Sequence, residues 1–600
     1  MSEEYSLEEL AGLPEFYHPV ASPDGEKIAF YWDKTGRNEL HVMELKSGKI
    51  KQVSDGEVPK NALWYIRWDS SSEKIYFHKD EAGNEQNDII SIDLRGNVKD
   101  VIKQEGQCLI QDISSDGKYI LFSNDKEEQM NLYRYDKEKN NIEKLTEYER
   151  PAGNGMFSPD DNYIAYETNE RENLENQDIY LCKADGSDKR RLDISEEGYV
   201  NSIGDWSPDS NSLLISDNST DKIRCGVYNI KEKKVKWFGA GQYEERPVSF
   251  LPSGEGFLAF RIKEAAWIPI KYSLDGSVKE LRLDEGRCYF RFGKDFGVFI
   301  SDKECIIPYS KSDKKKELFK YDLKDDEFEV LIGAGYGDID QDRFVEAKYV
   351  TYESVDGLEI GALLYDSGER PSPAVVMVHG GPHFQSTRGF NIYAQFLATR
   401  GYTVFQPNYR GSIGRGREFK RMIHMDWGGK EQDDIAEGCR WLKEKDWIDE
   451  ERVAVFGGSY GGYSAYMQMV KYPELWTTGI AWMGITDLHR MYEEGMSHFQ
   501  TGLKEQMGDP DKNYELWRER SPIEHVENIK RSILIIHGVS DPRCPIEQAK
   551  IFKEAIEDMG WKEGKDFEYE ELSEEGHGST DVNQKTRAFK ILEDYLDRRL

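Results

Sequence analysis

Long hydrophobic runs are missing from this 600-residue chain: no stretch of about 18 consecutive apolar residues occurs, which excludes a membrane-spanning helix. Met1 to Leu10 is acidic where an export signal would be basic and then apolar. Positive charge is in deficit, with 80 Lys and Arg against 113 Asp and Glu, a net charge of −33, and no Lys/Arg-rich stripe. That balance argues against nucleic acid and anionic membrane surfaces as partners. Cysteines are few. The seven (Cys108, Cys182, Cys225, Cys288, Cys305, Cys439 and Cys544) are odd in number, scattered, and lack C-x-x-C pairs. They read as reduced thiols of a cytoplasmic protein, with Cys544, close to Asp541, as the modifiable one. No phosphate-binding loop, metal-spaced cluster or flavin fingerprint is present, and Gly411, Gly414 and Gly416 have the wrong spacing for a dinucleotide motif, so neither cofactor nor metal is expected.

What is abundant is self-similarity before residue 340. Ser22 to Phe30 (S-P-D-G-E-K-I-A-F) returns at Asp69 to Phe77, Ser114 to Phe122, Ser158 to Tyr166 and Ser207 to Ile215, with worn copies near Leu251 to Phe260 and Phe292 to Ile300. A period of roughly 41 to 49 residues suits one four-stranded propeller blade, and seven copies predict seven blades. A blade cannot bury both faces alone, so the array must close into a ring. The acidic turn residues Asp24, Asp116, Asp160 and Asp209 read as hairpin chemistry rather than ligands. The division expected is an N-terminal extension (1–18) with an amphipathic, helical Leu7 to Phe16 packing on the second domain, a seven-bladed β-propeller (19–338), and an α/β-hydrolase domain with a doubly wound, mostly parallel sheet (339–600). No Gly/Ser- or Pro-rich linker separates the two large domains, so close docking is expected.

The second domain carries chemistry. Residues 457–462 read G-G-S-Y-G-G between the apolar run Val453 to Phe456 and the helical stretch Tyr463 to Val470. Small neighbours at a strand-to-helix bend let Ser459 take a strained, exposed conformation, and the helix N-terminus places the Tyr460 amide where it can stabilise an oxyanion. A serine nucleophile needs a base, and the base needs an orienting carboxylate. Asp541 follows the strand pattern Ser532 to His537, and His577 follows the strand Phe567 to Leu572 and precedes a helix from about Val582 to Leu596. Both fall in loops at strand ends, in the order Ser, Asp, His that an α/β-hydrolase uses. His537 reads as core, and His525 has no obvious partner. The strand Ala374 to Val378 runs into His379, Gly380, Gly381 and Pro382, an H-G-G-x loop whose Gly381 amide is the second oxyanion donor, since Pro382 cannot donate. Trp482, Met483 and Ile485 follow the next strand and suggest an apolar P1 pocket, with core packing equally open for Trp482.

Seven blades followed by V-H-G-G-P at Val378 to Pro382, P-N-Y-R-G-S at Pro407 to Ser412, G-G-S-Y-G-G, H-G-V-S-D-P-R-C-P at His537 to Pro545 and E-G-H-G at Glu575 to Gly578 resemble the prolyl oligopeptidase family of serine peptidases across essentially the whole chain. The similarity is greatest to its acylaminoacyl-peptidase branch. It implies a triad of Ser459, Asp541 and His577, oxyanion amides at Gly381 and Tyr460, and a substrate carbonyl contact from Arg543. Prolyl oligopeptidases proper place a tyrosine hydroxyl where this chain has His379 and Gly380, which favours the acylaminoacyl branch. Dipeptidyl peptidases of the family hold a free amine with paired propeller glutamates, which Glu170 and Glu172 could imitate, although their spacing is wrong for an adjacent pair. The expectation is a serine exopeptidase releasing N-acylated amino acids from short peptides. A dipeptidyl aminopeptidase and an esterase or aryl-amidase are the alternatives, and a propeller binding protein with a relic hydrolase half is a remote one. The family's multimers imply a homo-oligomer among the partners.

Overall fold

The computed structural model describes residues 5–600 apart from 82, 128, 291–296 and 574. The first 28 strands are antiparallel meanders in sequence order. Five are separate four-stranded sheets, and one eight-stranded sheet spans Glu244 to Ile332, its two halves joined by a parallel pairing at Trp267 and Arg287. Hydrophobic clusters lie between sheets rather than within them: Ile75 and Phe77 pack with Ala29 and Tyr31, and Ile120 and Phe122 with Tyr76 and Ile89. One cluster unites Phe16, Ile28 and Phe30 of the first sheet with Ile306, Leu318 and Ile332 of the last. The array is therefore a closed ring in which each sheet covers its neighbour's apolar face.

The repeated turns confirm their local chemistry. Ser22 Oγ donates to Asp24 Oδ1 (2.5 Å) and accepts from the Lys27 amide (2.9 Å), and the same pattern recurs at Ser114–Asp116, Ser158–Asp160 and Ser207–Asp209. Two expectations are corrected. The opening helix is only Leu7–Ala11, closed at its N-terminus by a Ser6/Glu9 capping box and at its C-terminus by Gly12, and Phe16–Ala21 is a strand of the first sheet rather than part of the extension. That short helix packs on the C-terminal helix Val582–Arg599. The last repeat was expected over Phe292 to Ile300, where 292–296 lie outside the described residues. The strand that occupies this place in the meander is Glu304–Ser310, after a turn (Ser301, Asp302, Lys303) that, like the turn of the Asp69 copy, has neither Pro nor Gly.

The remaining eight strands form one sheet in the order Lys348–Glu353, Glu359–Tyr365, Thr403–Asn408, Ser372–Val378, Ile448–Gly458, Thr478–Trp482, Ile533–Gly538 and Phe567–Leu572. From Thr403–Asn408 onward neighbours are parallel. The central strands read as apolar runs because both faces are covered: Ala374, Val376 and Val378 face one core and Val375 the other. Loops at the C-terminal edge of such a sheet carry function. Among the described residues no helix is long and apolar enough to cross a membrane.

Candidate active site

Register places the parts. Val378 pairs with Gly457, Gly458 with Trp482, and Gly538 with Leu572, so the loops beginning at His379, Ser459, Met483, Val539 and Ser573 leave the sheet side by side. Ser459 sits between strand Ile448–Gly458 and helix Tyr460–Lys471 at φ 58°, ψ −123°, a conformation a non-glycine residue adopts only when its surroundings enforce it. The surroundings do. A Cβ on Gly457 would collide with the Gly461 carbonyl, and one on Gly461 with the Val378 carbonyl. The Ser459 amide donates to the Trp482 carbonyl at 3.0 Å. Tyr460, the first residue of the helix, has no intrahelical acceptor for its amide.

His577 Nδ1 and Asp541 Oδ2 are 2.7 Å apart, and Asp541 Oδ1 accepts from the amides of Arg543 (2.9 Å) and Cys544 (3.0 Å). Burial alone would raise the Asp541 carboxyl, but the hydrogen bond and charge of His577 outweigh it and hold the group below the ordinary carboxylate range. The carboxylate thereby fixes the imidazole with Nε2 free. Among the described residues no hydrogen bond joins Ser459 to His577; the serine side chain instead contacts the Cys544 thiol. Catalytic hydrogen bonds in unliganded sites are often long and tighten when substrate binds. Cys544 is 3% exposed and burial raises its thiol well above the usual range, so the expectation of a modifiable cysteine is not met. His537 is fully buried, with Nε2 2.7 Å from the Cys544 carbonyl, as a core histidine should be.

The H-G-G-P loop lies against the serine: a Cβ on Gly380 would stand 3.4 Å from Ser459 Cβ, and Gly381 holds φ +130°. Burial lowers His379 to about 4, so its ring is neutral near pH 7. Its Nε2 is 2.9 Å from Ser412 Oγ, and its ring stacks on Tyr409 at 4.3 Å. The P-N-Y-R-G-S loop that supplies Tyr409 and Ser412 is fixed by Arg410, which donates to Asp434 (2.7 and 2.9 Å) and Asp356 (2.9 and 3.0 Å).

The propeller reaches the same site through residues that sequence reasoning missed. Arg543 meets the propeller: its Nε donates to Glu85 Oε1 at 2.6 Å, and Glu85, in a loop of the second sheet, is 3% exposed. Gly83 packs closely on Gly576, where a Cβ would collide with the Gly83 carbonyl. Asn61 Oδ1 accepts from the Thr580 amide (3.0 Å) and Ser579 Oγ (3.1 Å), clasping the His577 loop. Beside this clasp a cavity of about 410 Å³ opens between the domains, lined by Arg37, Lys60, Asn61, Lys79, Asp80 and Ser579 among others. Glu85 and Asn61 lie outside the repeated motif, so no periodic signal could mark them. Glu170 and Glu172 are exposed, and it is Glu175 that meets the hydrolase domain, at Arg421 (2.7 Å) and His424 (3.2 Å).

The P1-pocket expectation is corrected. Trp482 and Met483 belong to the core on one face of the sheet, where Trp482 meets Tyr393 edge-on at 5.5 Å, and Ile485 belongs to the core on the other. The chain past the strand end carries Ile485 to the opposite side of the sheet from Trp482 and Met483, so the three do not line one pocket.

A bent strand–serine–helix turn, a carboxylate-oriented histidine and two glycine-flanked amide positions at one sheet edge define a serine hydrolase capped by a β-propeller. Residues 388–600 match the prolyl oligopeptidase family model, and residues 14–192 and 67–289 match the TolB beta propeller domain. Residues 388–600 are thus a prolyl oligopeptidase family domain, and the protein is a serine peptidase. It is 24% identical to the uncharacterized peptidase YuxL of Bacillus subtilis over 97% of this chain and 90% of that one. A 34% identity to dipeptidyl aminopeptidase BIII of Pseudoxanthomonas mexicana covers 30% of this chain and 27% of the relative, and a 29% identity to the acylamino-acid-releasing enzyme of Rattus norvegicus covers 33% and 29%. Among solved structures, a puromycin-hydrolyzing peptidase of Mycobacterium tuberculosis superposes with a TM-score of 0.85 over 99% of this chain and 96% of that one, at 15% identity.

Proposed function

We propose that the protein is an acylaminoacyl peptidase, releasing N-acylated amino acids from the blocked ends of short peptides. Ser459 Oγ attacks the carbonyl of the first residue as His577 Nε2 takes its proton. The Gly381 and Tyr460 amides hold the oxyanion, and His577 then protonates the leaving amine; water, deprotonated by the same nitrogen, opens the acyl-enzyme and restores the serine. The observation that carries this reading is the 2.7 Å His577–Asp541 pair on the loop beside the strained Ser459. Selection of a blocked end is supported by Glu85, a propeller carboxylate already held by Arg543 at 2.6 Å. Arg543 reaches a substrate carbonyl with its guanidinium partly shared with Glu85. We read the eight-stranded sheet as two blades, making a seven-bladed cap that restricts entry to short peptides, and we read the buried cysteines as thiols of a cytoplasmic protein. A dipeptidyl aminopeptidase is the second reading, favoured by the 34%-identical relative.

The test compares hydrolysis of N-acetyl-alanyl, N-acetyl-phenylalanyl and free-amine dipeptidyl p-nitroanilides by wild type and Ser459→Ala. Serine-dependent turnover favouring the blocked substrates is expected. Preference for free-amine dipeptides would move the assignment to the second reading, and turnover of p-nitrophenyl esters alone would make the protein an esterase.

A further inference from the structure

Both oxyanion amides belong to backbones tied to a single aromatic stack. The Tyr409 ring lies between His379 (4.3 Å, 13° between planes) and Tyr460 (5.9 Å, 28°). Its hydroxyl donates to the His379 carbonyl at 3.0 Å, two residues before Gly381. On the other side the Tyr460 hydroxyl donates to Glu431 Oε1 at 2.9 Å, and Trp427 packs edge-on against the Tyr460 ring at 4.7 Å. Glu431 is fully buried. Its Oε1 also accepts from the Gly428 amide (2.5 Å) and Gln432 Nε2 (3.0 Å), while Oε2 has no partner among the described residues. A buried carboxyl facing only neutral donors is costly unless it fixes something. The stack answers a need: an oxyanion hole works only if its two donors converge on one point within about half an ångström.

We propose that Tyr409 and Glu431 are positioning residues of the hydrolytic reaction, Tyr409 setting the gap between the Gly381 and Tyr460 amides as a spacer ring and Glu431 pinning Tyr460 by its hydroxyl. The proposal rests on the reading of those two amides as oxyanion donors. Tyr409 is itself immobilised, since the Arg410–Asp434–Asp356 ion pairs clamp the neighbouring residue of its loop. Burial pushes the Glu431 carboxyl up to about 7, so a neutral glutamine of the same shape is a close substitute.

Tyr409→Leu, Tyr409→Phe, Glu431→Ala and Glu431→Gln are measured for kcat and KM on the p-nitroanilide that wild type cleaves fastest, and for affinity toward a peptidyl aldehyde whose tetrahedral adduct occupies the oxyanion hole. Wild type is labelled in parallel with a fluorophosphonate. Tyr409→Leu is expected to lower kcat on the order of 100-fold with KM nearly unchanged, and to weaken the aldehyde in parallel, because a displaced donor costs transition-state binding alone. Tyr409→Phe and Glu431→Ala should each lose about tenfold, and Glu431→Gln should restore activity to within about threefold of wild type. A fall in thermal midpoint without the parallel loss of kcat and aldehyde affinity would reduce both residues to packing and overturn the proposal. If Tyr409→Leu does not fold, Tyr409→Phe and the Glu431 pair decide, and wild-type kcat in Tyr409→Phe and Glu431→Ala refutes it. Wild type that hydrolyses its substrate yet is labelled elsewhere than Ser459 would remove the catalytic reading itself, and the proposal with it.

Discussion

The propeller and the hydrolase domain build their cores by opposite rules. In the ring, one local instruction repeats: a Ser–x–Asp turn satisfies its own backbone, and the strand after it packs on the next sheet. In the hydrolase domain no position repeats, and two different cores cover the two faces of one sheet. The consequence lies where they meet. The residues with which the propeller holds the catalytic loops, Asn61, Glu85, Asp221 and Glu244, are not repeat positions. Glu244 accepts from the Gly414 and Gly416 amides (3.1 and 2.7 Å), and Asp221 from the Glu418 amide (2.9 Å). Repetition builds the ring, and departures from it serve the site.

Four substitutions sharpen or break that contrast, and the hydrolase side should show the largest effect. Asp541→Asn leaves the packing nearly intact but presents His577 with a donor instead of an acceptor, so kcat should fall on the order of 10⁴-fold in steady-state assays while the thermal midpoint barely moves. Next is the non-repeat propeller contact. Glu85→Ala frees Arg543 and opens the junction at His577, and kcat/KM should drop on the order of tenfold or more with the ring still folded, as read by kinetics with circular dichroism. An unchanged kcat/KM would break the link between departures from the repeat and the site.

Inside the ring the effects should be thermodynamic. Glu167 is buried, accepts from Asn154 Nδ2 and Gln177 Nε2 (2.7 Å each) and the Ile203 amide (2.6 Å), and burial raises its carboxyl to about 7. The folded state therefore holds a proton that the unfolded chain releases near 4.5, and stability declines as pH rises from there to about 7. Glu167→Gln should flatten that decline in thermal midpoints measured across pH 4 to 8, by about 3 kcal/mol at most, leaving kcat unaltered. The smallest effect belongs to a repeated turn: Asp209→Ala removes acceptors for Ser207 Oγ (2.6 Å) and the Asn211 amide (3.1 Å), which should lower stability by about 1 kcal/mol with activity intact. A large activity loss there would mean that the ring transmits strain to the site.

Legibility followed the same division. Ser459, Asp541, His577 and the H-G-G-P loop were readable because each stands at a strand end with a distinctive neighbourhood, and the structure brings all of them to one sheet edge. The last repeat was misplaced because its turn has neither Pro nor Gly and the strand after it, E-C-I-I-P-Y-S, also lacks the I-x-F ending that still marks the Asp69 copy. Trp482, Met483 and Ile485 were grouped by adjacency, whereas the loop after the strand carries Ile485 to the opposite face from the other two. Glu431 gave no signal, since a glutamate early in a helix ordinarily faces water.

The sequence by itself determined the ring, the sheet and the loops that carry the reacting groups, because periodicity, turn chemistry and strand-end motifs are local properties of the chain. Only the tertiary structure decided that Arg543 is met by Glu85, that Asn61 clasps the His577 loop, and that Tyr409 separates two backbones far apart in sequence, His379–Gly381 on one side and Tyr460 on the other. Those contacts join residues that share neither period nor motif, so they arise only when folding brings distant segments together and buries their polar groups.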